Sequence, residues 1–188
     1  MPPMPADVVD VTPRRLRGDE WPALRALRLR GLQANPEAFC ASLDVESAFD
    51  DAVWQQRAAD GAAGVAVVTF VVDGDDDSGE HALSAMAVGV LVDDERARVW
   101  RVDGLWVAPE RRRQGCADAL VHRILAHARD NDADVVTTEV RAENTAALRF
   151  FERLGFAFAP AVTCSGRAQR TGQLPLANMA SPSTPTAS

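Results

Sequence analysis

The stretch Leu105-Trp106-Val107-Ala108-Pro109-Glu110-Arg111-Arg112-Arg113-Gln114-Gly115-Cys116-Ala117 decides how this chain is read. Its first residues close the run Arg98–Val107, which has partly alternating strand character and stops at Pro109. After the arginines comes the clearest helical pattern in the chain. Ala117, Leu120, Val121, Ile124, Leu125 and Ala128 recur at i, i+3, i+4, i+7, i+8 and i+11, one face of a helix that Asn131 and Asp132 end. A strand therefore runs into a basic turn, and the turn opens onto a helix N-terminus. The first amides of a helix have no intrahelical acceptor, and the macrodipole places partial positive charge there. A turn of small residues lets a phosphate approach those amides. Gly115 and Ala117 keep the approach clear, and three consecutive arginines add formal charge. The alternative, for this segment alone, is a solvent-facing basic loop ahead of an ordinary helix.

Outward from this segment, strands and helices interleave, which indicates an α/β layer structure. Val8–Leu16 reads as a first strand, and Asp19 as the N-cap of a helix opened by Trp21-Pro22 and stopped at Asn35-Pro36. A second helix is expected over Asp51–Asp60, then strands at Val65–Val72 and Ala82–Val92. Past the central helix, Val135–Arg141 is a short strand. Asn144 caps a last helix through Leu154, and Gly155 stands where a left-handed residue after a helix belongs. Phe156–Thr163 and Gln173–Met179 are the remaining strand candidates, Pro175 confining the second to an edge or a start. The expected organisation is an N-terminal arm over residues 1–6, one domain over 7–180 and a polar, disordered tail over 181–188.

Composition excludes several classes. A net charge of −7 argues against a sequence-independent grip on nucleic acid. The acidic run at Asp73-Gly74-Asp75-Asp76-Asp77 reads as a solvated turn ahead of a metal site. Cys40, Cys116 and Cys164 are scattered, and His81, His122 and His127 fit no ligand spacing, so neither a disulfide framework nor a metal is expected. No apolar run is long enough to span a bilayer, and the start lacks the pattern of a signal peptide. The expectation is a reduced, cytoplasmic protein. No P-loop or dinucleotide fingerprint is present.

Arg112-x-x-Gly115-x-Ala117 resembles the Q/R-x-x-G-x-G/A signature of the GNAT (GCN5-related) N-acetyltransferases, whose loop binds the pyrophosphate of acetyl-CoA. The run Glu139-Val140-Arg141 through Asn144, Ala147, Phe151, Gly155 and Phe156 resembles that family's E-V-R-x-x-N-x-x-A-x-x-x-Y-x-x-x-G-F. The close match spans Arg101–Phe156. A looser one covers Trp21–Phe39, where Arg28-Leu29-Arg30 and Asn35-Pro36-Glu37-Ala38-Phe39 are similar to one subgroup.

The resemblance implies the GNAT fold, an α/β architecture whose mixed central sheet splays between the fourth and fifth strands, flanked by helices. It implies transfer of an acetyl group from acetyl-CoA to a primary amine of a small molecule or peptide by direct attack. Pantetheine would pair with the backbone of Leu105, Trp106 and Val107. Arg112, Arg113, Gln114, Gly115, Cys116, Ala117 and Asp118 would form the phosphate cradle, with Asn144 and Phe151 on the pantetheine side. Glu139 matches the position of a base that deprotonates the amine, and Asp103 competes with it; each is alternatively a plain strand residue. Neither nucleic acid nor membrane is an expected partner, and since many members of the family dimerise, the resemblance allows a homodimer.

One departure bears on mechanism. Phe151 stands where many members carry the tyrosine that protonates the leaving thiolate, and the chain contains no tyrosine. A thiolate leaves tolerably without full protonation, since a thiol of this kind has a pKa of about 8–9. A second expectation is therefore a catalytically weak acyl-CoA-binding module of the same fold.

Overall fold

The computed structural model describes residues 11–39, 41–74, 82–92, 94, 96–164 and 167–176. Its elements in chain order are β1 (Arg14–Arg15), α1 (Trp21–Ala34), α2 (Leu43–Ser47), α3 (Asp51–Ala63), β2 (Val67–Gly74) and β3 (Ala82–Val92). Then follow β4 (Val99–Val107), α4 (Cys116–Asp130), β5 (Val135–Arg141), α5 (Thr145–Arg153), β6 (Ala157–Phe158), β7 (Val162–Cys164) and β8 (Arg167–Pro175). The strands pair in the order β1-β2-β3-β4-β5-β8-β6, with β7 on β8, and of the sheet's ladders only β4–β5 is parallel. The expected mixed sheet flanked by helices is present.

The chain groups into two compact units: residues Met1–Val88 with Gly104–Ile124, and Gly89–Asp103 with Leu125–Ser188. In the first, Leu16, Leu24, Leu27, Leu32, Phe39, Ala58, Val71, Leu83, Met86, Trp106 and Ala108 form one apolar cluster. Gly31 is what lets Trp106 of β4 lie on α1, because a Cβ there would come within 3.1 Å of the indole and 3.3 Å of Phe39. Burying an indole of this size contributes several kcal/mol, about what a Trp→Ala change costs.

In the second unit, the parallel ladder runs from Val99↔Val135 to Val102↔Thr138, and the Thr138 hydroxyl donates to the Val102 carbonyl at 3.2 Å. β5 continues to Arg141 paired with β8, through Glu139↔Thr171 and Arg141↔Gln169. Pairing with β4 thus stops while pairing with β8 goes on. Gly104, the residue after the last β4 residues of this unit, has φ +59, a left-handed conformation that bends a strand.

Several sequence expectations shift. Among the described residues the first strand is only Arg14–Arg15; Val8–Asp10 lie outside them. Asp19 does not cap α1, because Gly18–Glu20 forms a 3-10 turn and Glu20 occupies the N-cap position. The Glu20 carboxylate is drawn inward, accepting from the Arg17 backbone N–H at 2.8 Å and from Arg14 at 2.7 and 2.8 Å. α3 runs three residues past Asp60, to Ala63, and ends on Gly64 at φ +69. The five-residue α2 had no periodicity to announce it. The last strands are Ala157–Phe158, Val162–Cys164 and Arg167–Pro175 rather than two longer ones, and β8 starts six residues before Gln173. Asp75–His81, Cys40 and the 181–188 tail lie outside the described residues. α4 and β5 stand where their patterns place them, and the Asn144 side chain caps α5 by accepting from the Ala147 N–H at 3.1 Å.

Candidate functional site

The turn after β4 is built by alternating backbone handedness. Arg112 has φ −68, Arg113 φ +64 and Gly115 φ +88, with no positive φ between the last two. Such alternation turns successive N–H groups toward one side, forming an anion-binding concavity. Ala119 N–H makes the first helical bond, to the Gly115 carbonyl at 3.0 Å, which leaves the Cys116 and Ala117 amides ahead of the ladder. A Cβ at Gly115 would meet nothing within 4 Å, so the concavity is open. A diphosphate fits these residues: free amides, positive dipole end and clear space coincide. Arg113 is strained as a non-glycine residue at positive φ, a feature that clusters at ligand sites.

The three arginines are not equivalent. The Arg112 Nε donates to the Val107 carbonyl at 3.1 Å, and its Nη2 donates to Asn35 Oδ1 at 2.7 Å. The Trp106 indole N–H donates to the same Oδ1 at 3.2 Å. Asn35, one residue past α1, thereby ties the end of β4 to the turn. Arg111 donates to the Asp73 carbonyl at 3.3 Å. Arg30 grips Glu110 with two bonds of 2.8 and 2.9 Å, which lowers the Glu110 carboxyl below the usual range, chiefly through that Arg30 hydrogen bond. Gln114 Nε2 donates to the Glu110 carbonyl at 3.0 Å. Arg112 is therefore a brace, and Arg113, exposed and without a side-chain partner among the described residues, is the arginine left for a ligand. Cys116 is buried with its thiol 3.6 Å from the Arg111 carbonyl, a packing position. Ala117 and Asp118 are half-buried on the first turn of α4, and Leu105 and Val107 are half-buried on β4 to either side of buried Trp106.

The remaining candidates lie in the second unit. Glu139 is exposed on β5 and makes no ion pair among the described residues. Asp103 is half-buried and held by Arg101 through three contacts of 2.9–3.0 Å. Phe151 is buried between Phe150 and Phe156, with ring centroids 5.1 and 5.2 Å away in edge-on geometry. It is a core aromatic with no proton to give. Asn144 is half-buried, its side-chain oxygen used by the cap. Among the described residues no group of three or more His, Cys, Asp or Glu side chains could hold a metal ion. No helix among them is long and apolar enough to cross a membrane.

Two groups went unnoticed in the sequence. Asn35 figured there as a helix stop and as part of the looser family match, with no role at the turn. A buried cluster in the first unit pairs Glu46 of α2 with Arg28 of α1, at 2.8 and 3.1 Å, and with Arg57 of α3, at 3.0 Å. Burial pushes the Glu46 carboxyl up, but the two guanidinium groups outweigh it and hold it below the ordinary value. Gly104 left a faint signal, since a glycine inside a strand often marks a bulge.

The comparisons bear on the family and the fold. The acetyltransferase (GNAT) family matches residues 30–156, and the chain belongs to that family. Solved structures of similar fold include ribosomal-protein-S18-alanine N-acetyltransferase from Escherichia coli, 20% identical, covering 93% of this chain and 99% of that one at a TM-score of 0.60. A GNAT acetyltransferase from Streptococcus pneumoniae is 12% identical over 87% and 98% of the two chains, with a TM-score of 0.70. PaiA N-acetyltransferase from Thermoplasma acidophilum, in complex with coenzyme A, is 11% identical over 85% and 96%, at 0.63. Among curated proteins no match is found.

Proposed function

We propose that this chain transfers an acetyl group from acetyl-CoA to a primary amine of a small molecule or peptide, using one domain over residues 7–180. The observation that carries the reading is the open concavity at Arg113–Ala117 in a chain of this family. When bound, acetyl-CoA supplies a thioester carbonyl that a neutral amine can attack, with the thiolate leaving.

The chain's own residues have four tasks. The amides of Gly115, Cys116 and Ala117 hold the diphosphate, and Arg113 adds a mobile charge to it. The backbone of Leu105, Trp106 and Val107 offers a strand edge to pantetheine, and the Val107 N–H is the proposed donor to the developing oxyanion. Asn144 is the residue proposed for pantetheine contact on the ground of family membership, while Phe151 is core. Glu139 takes the ammonium proton through water, an arrangement its exposure favours over direct contact. Asp103 is the weaker candidate because both its carboxylate oxygens are already engaged by Arg101. Water protonates the thiolate.

One specific observation favours a second reading, a catalytically weak acyl-CoA-binding module: Phe151 is core, Asp103 is paired and Glu139 is exposed. Purified protein incubated with acetyl-CoA and a panel of amines separates the two. Acetylated product with release of CoA thiol is expected. Tight CoA binding without transfer to any amine would leave the module.

A further inference from the structure

The Arg28–Glu46 cluster is not used by the cradle, and its geometry is unusual for a structural ion pair. Arg28 leaves α1 with its side chain 15% exposed. Its Nε and Nη2 are both spent on Glu46, at 3.1 and 2.8 Å, and its Cζ lies over the Phe39 ring, 4.4 Å from the centroid. The guanidinium is thus fixed on one edge and one face. The opposite edge, Nη1, has no acceptor among the described residues. It points to β4: Nη1 lies 3.7 Å from where a Cβ of Gly104 would be. Gly104 has no side chain to cover it, and Leu105–Val107, the strand edge assigned to pantetheine, begins at the next residue.

Charge adds direction to this geometry. Glu46 is one carboxylate, 3% exposed, facing two guanidinium groups, Arg28 and Arg57, so the cluster keeps a net positive charge. Described carboxylates other than Glu46 are not bonded to Arg28. A guanidinium edge with two N–H donors and surplus charge, on a side chain only 15% exposed, suits an oxygen anion better than a neutral carbonyl.

We propose that Arg28 is a specificity-determining residue whose Nη1 edge, exposed beside Gly104 and locked by Glu46 and Phe39, binds a carboxylate carried by the amine acceptor. The acceptor class is then amino acids and other amines bearing an acid group. Glu46 is the positioning residue that aims the guanidinium. The inference rests on the acetyl transfer proposed above and adds the chemistry of the acceptor to it.

The test compares phenylalanine and leucine with their primary amides, phenylalaninamide and leucinamide, as acceptors for the full chain with acetyl-CoA, read as kcat/KM. A charge-assisted hydrogen bond predicts that the acids are preferred by roughly tenfold or more. Arg28→Lys, which keeps a charge on Glu46 but cannot serve both edges, is expected to bring the ratio of acid to amide close to one with CoA affinity unchanged. Should Arg28→Lys fail to fold, benzoate on the unaltered protein serves instead. It is expected to compete with the amine and not with acetyl-CoA. Equal use of acid and amide, a ratio untouched by Arg28→Lys, or no competition by benzoate would overturn the role of Arg28 and leave the acetyltransferase reading standing. CoA binding with no transfer to any amine would overturn both.

Discussion

In the Arg111–Ala117 turn the formal charge sits on the outside, and the arginines that are engaged serve as braces; the surface proposed to bind the diphosphate is backbone, shaped by positive φ at Arg113 and Gly115. In the Arg28–Glu46–Arg57 cluster the order is reversed. There the charge is inside, the backbone is ordinary helix, and orientation comes from a carboxylate that is itself almost fully buried. The contrast teaches that a ligand site made of amides tolerates loss of a side chain, whereas one made of buried ions depends on each partner. A free amide costs nothing further when a neighbouring arginine is removed, but a buried guanidinium stripped of its carboxylate is left uncompensated.

That difference can be broken from either side. The largest effect is expected from Gly115→Glu. Because nothing lies within 4 Å of a Cβ there, the fold need not clash, but φ +88 strains any L side chain and the carboxylate would occupy the diphosphate's place. CoA affinity measured by calorimetry should fall more than about 100-fold, from loss of space and from like-charge repulsion. Unchanged affinity would move the cradle elsewhere.

Glu46→Ala probes the other principle. Leaving Arg28 buried without its partner should lower stability by about 3–5 kcal/mol in denaturant unfolding, the range for breaking a buried pair. A loss below 1 kcal/mol would show that the cluster behaves as a surface ion pair.

Acid should reproduce part of that effect. Glu20 and Glu46 are each pushed up by burial and pulled down further by their arginines, so both titrate below the ordinary carboxylate value of about 4.3. With the folded value below the unfolded one, their stabilisation is present above about pH 4.3 and is lost as pH falls through the folded values. The melting temperature should hold from pH 7 to about 5 and decline below pH 4.3. A midpoint that rises on acidification would contradict both ion networks.

The smallest effects are expected from the two candidate bases, Glu139→Gln first and Asp103→Asn after it. An exposed carboxylate acting through water supports only the lower end of general-base catalysis, so kcat should fall about 100-fold with CoA affinity unaltered. Asp103→Asn should fall less. The reverse order would transfer the role of base to Asp103.

The strand–turn–helix run around Arg111–Ala117 was readable from the chain because its determinants are consecutive: strand, basic turn and amphipathic α4 occupy one run, and each has a local signal. β5 and the Asn144 cap were readable for the same reason. What was not readable is what depends on residues distant in sequence. Arg28 and Glu46 are 18 positions apart and Arg112 and Asn35 are 77, and neither spacing has a period to betray it. The cap at Asp19 misled because Glu20, an equally ordinary acidic residue, found Arg14 and turned inward, an outcome decided by tertiary pairing. The end of the β4–β5 ladder at Val102↔Thr138 left only Gly104 as its mark.

The most direct test of the central claim is a titration of isotope-labelled protein with CoA, following backbone amide resonances. Gly115, Cys116 and Ala117 are predicted to show the largest shifts, moving together at one dissociation constant. Saturable CoA binding that leaves those three amides unmoved would contradict the account.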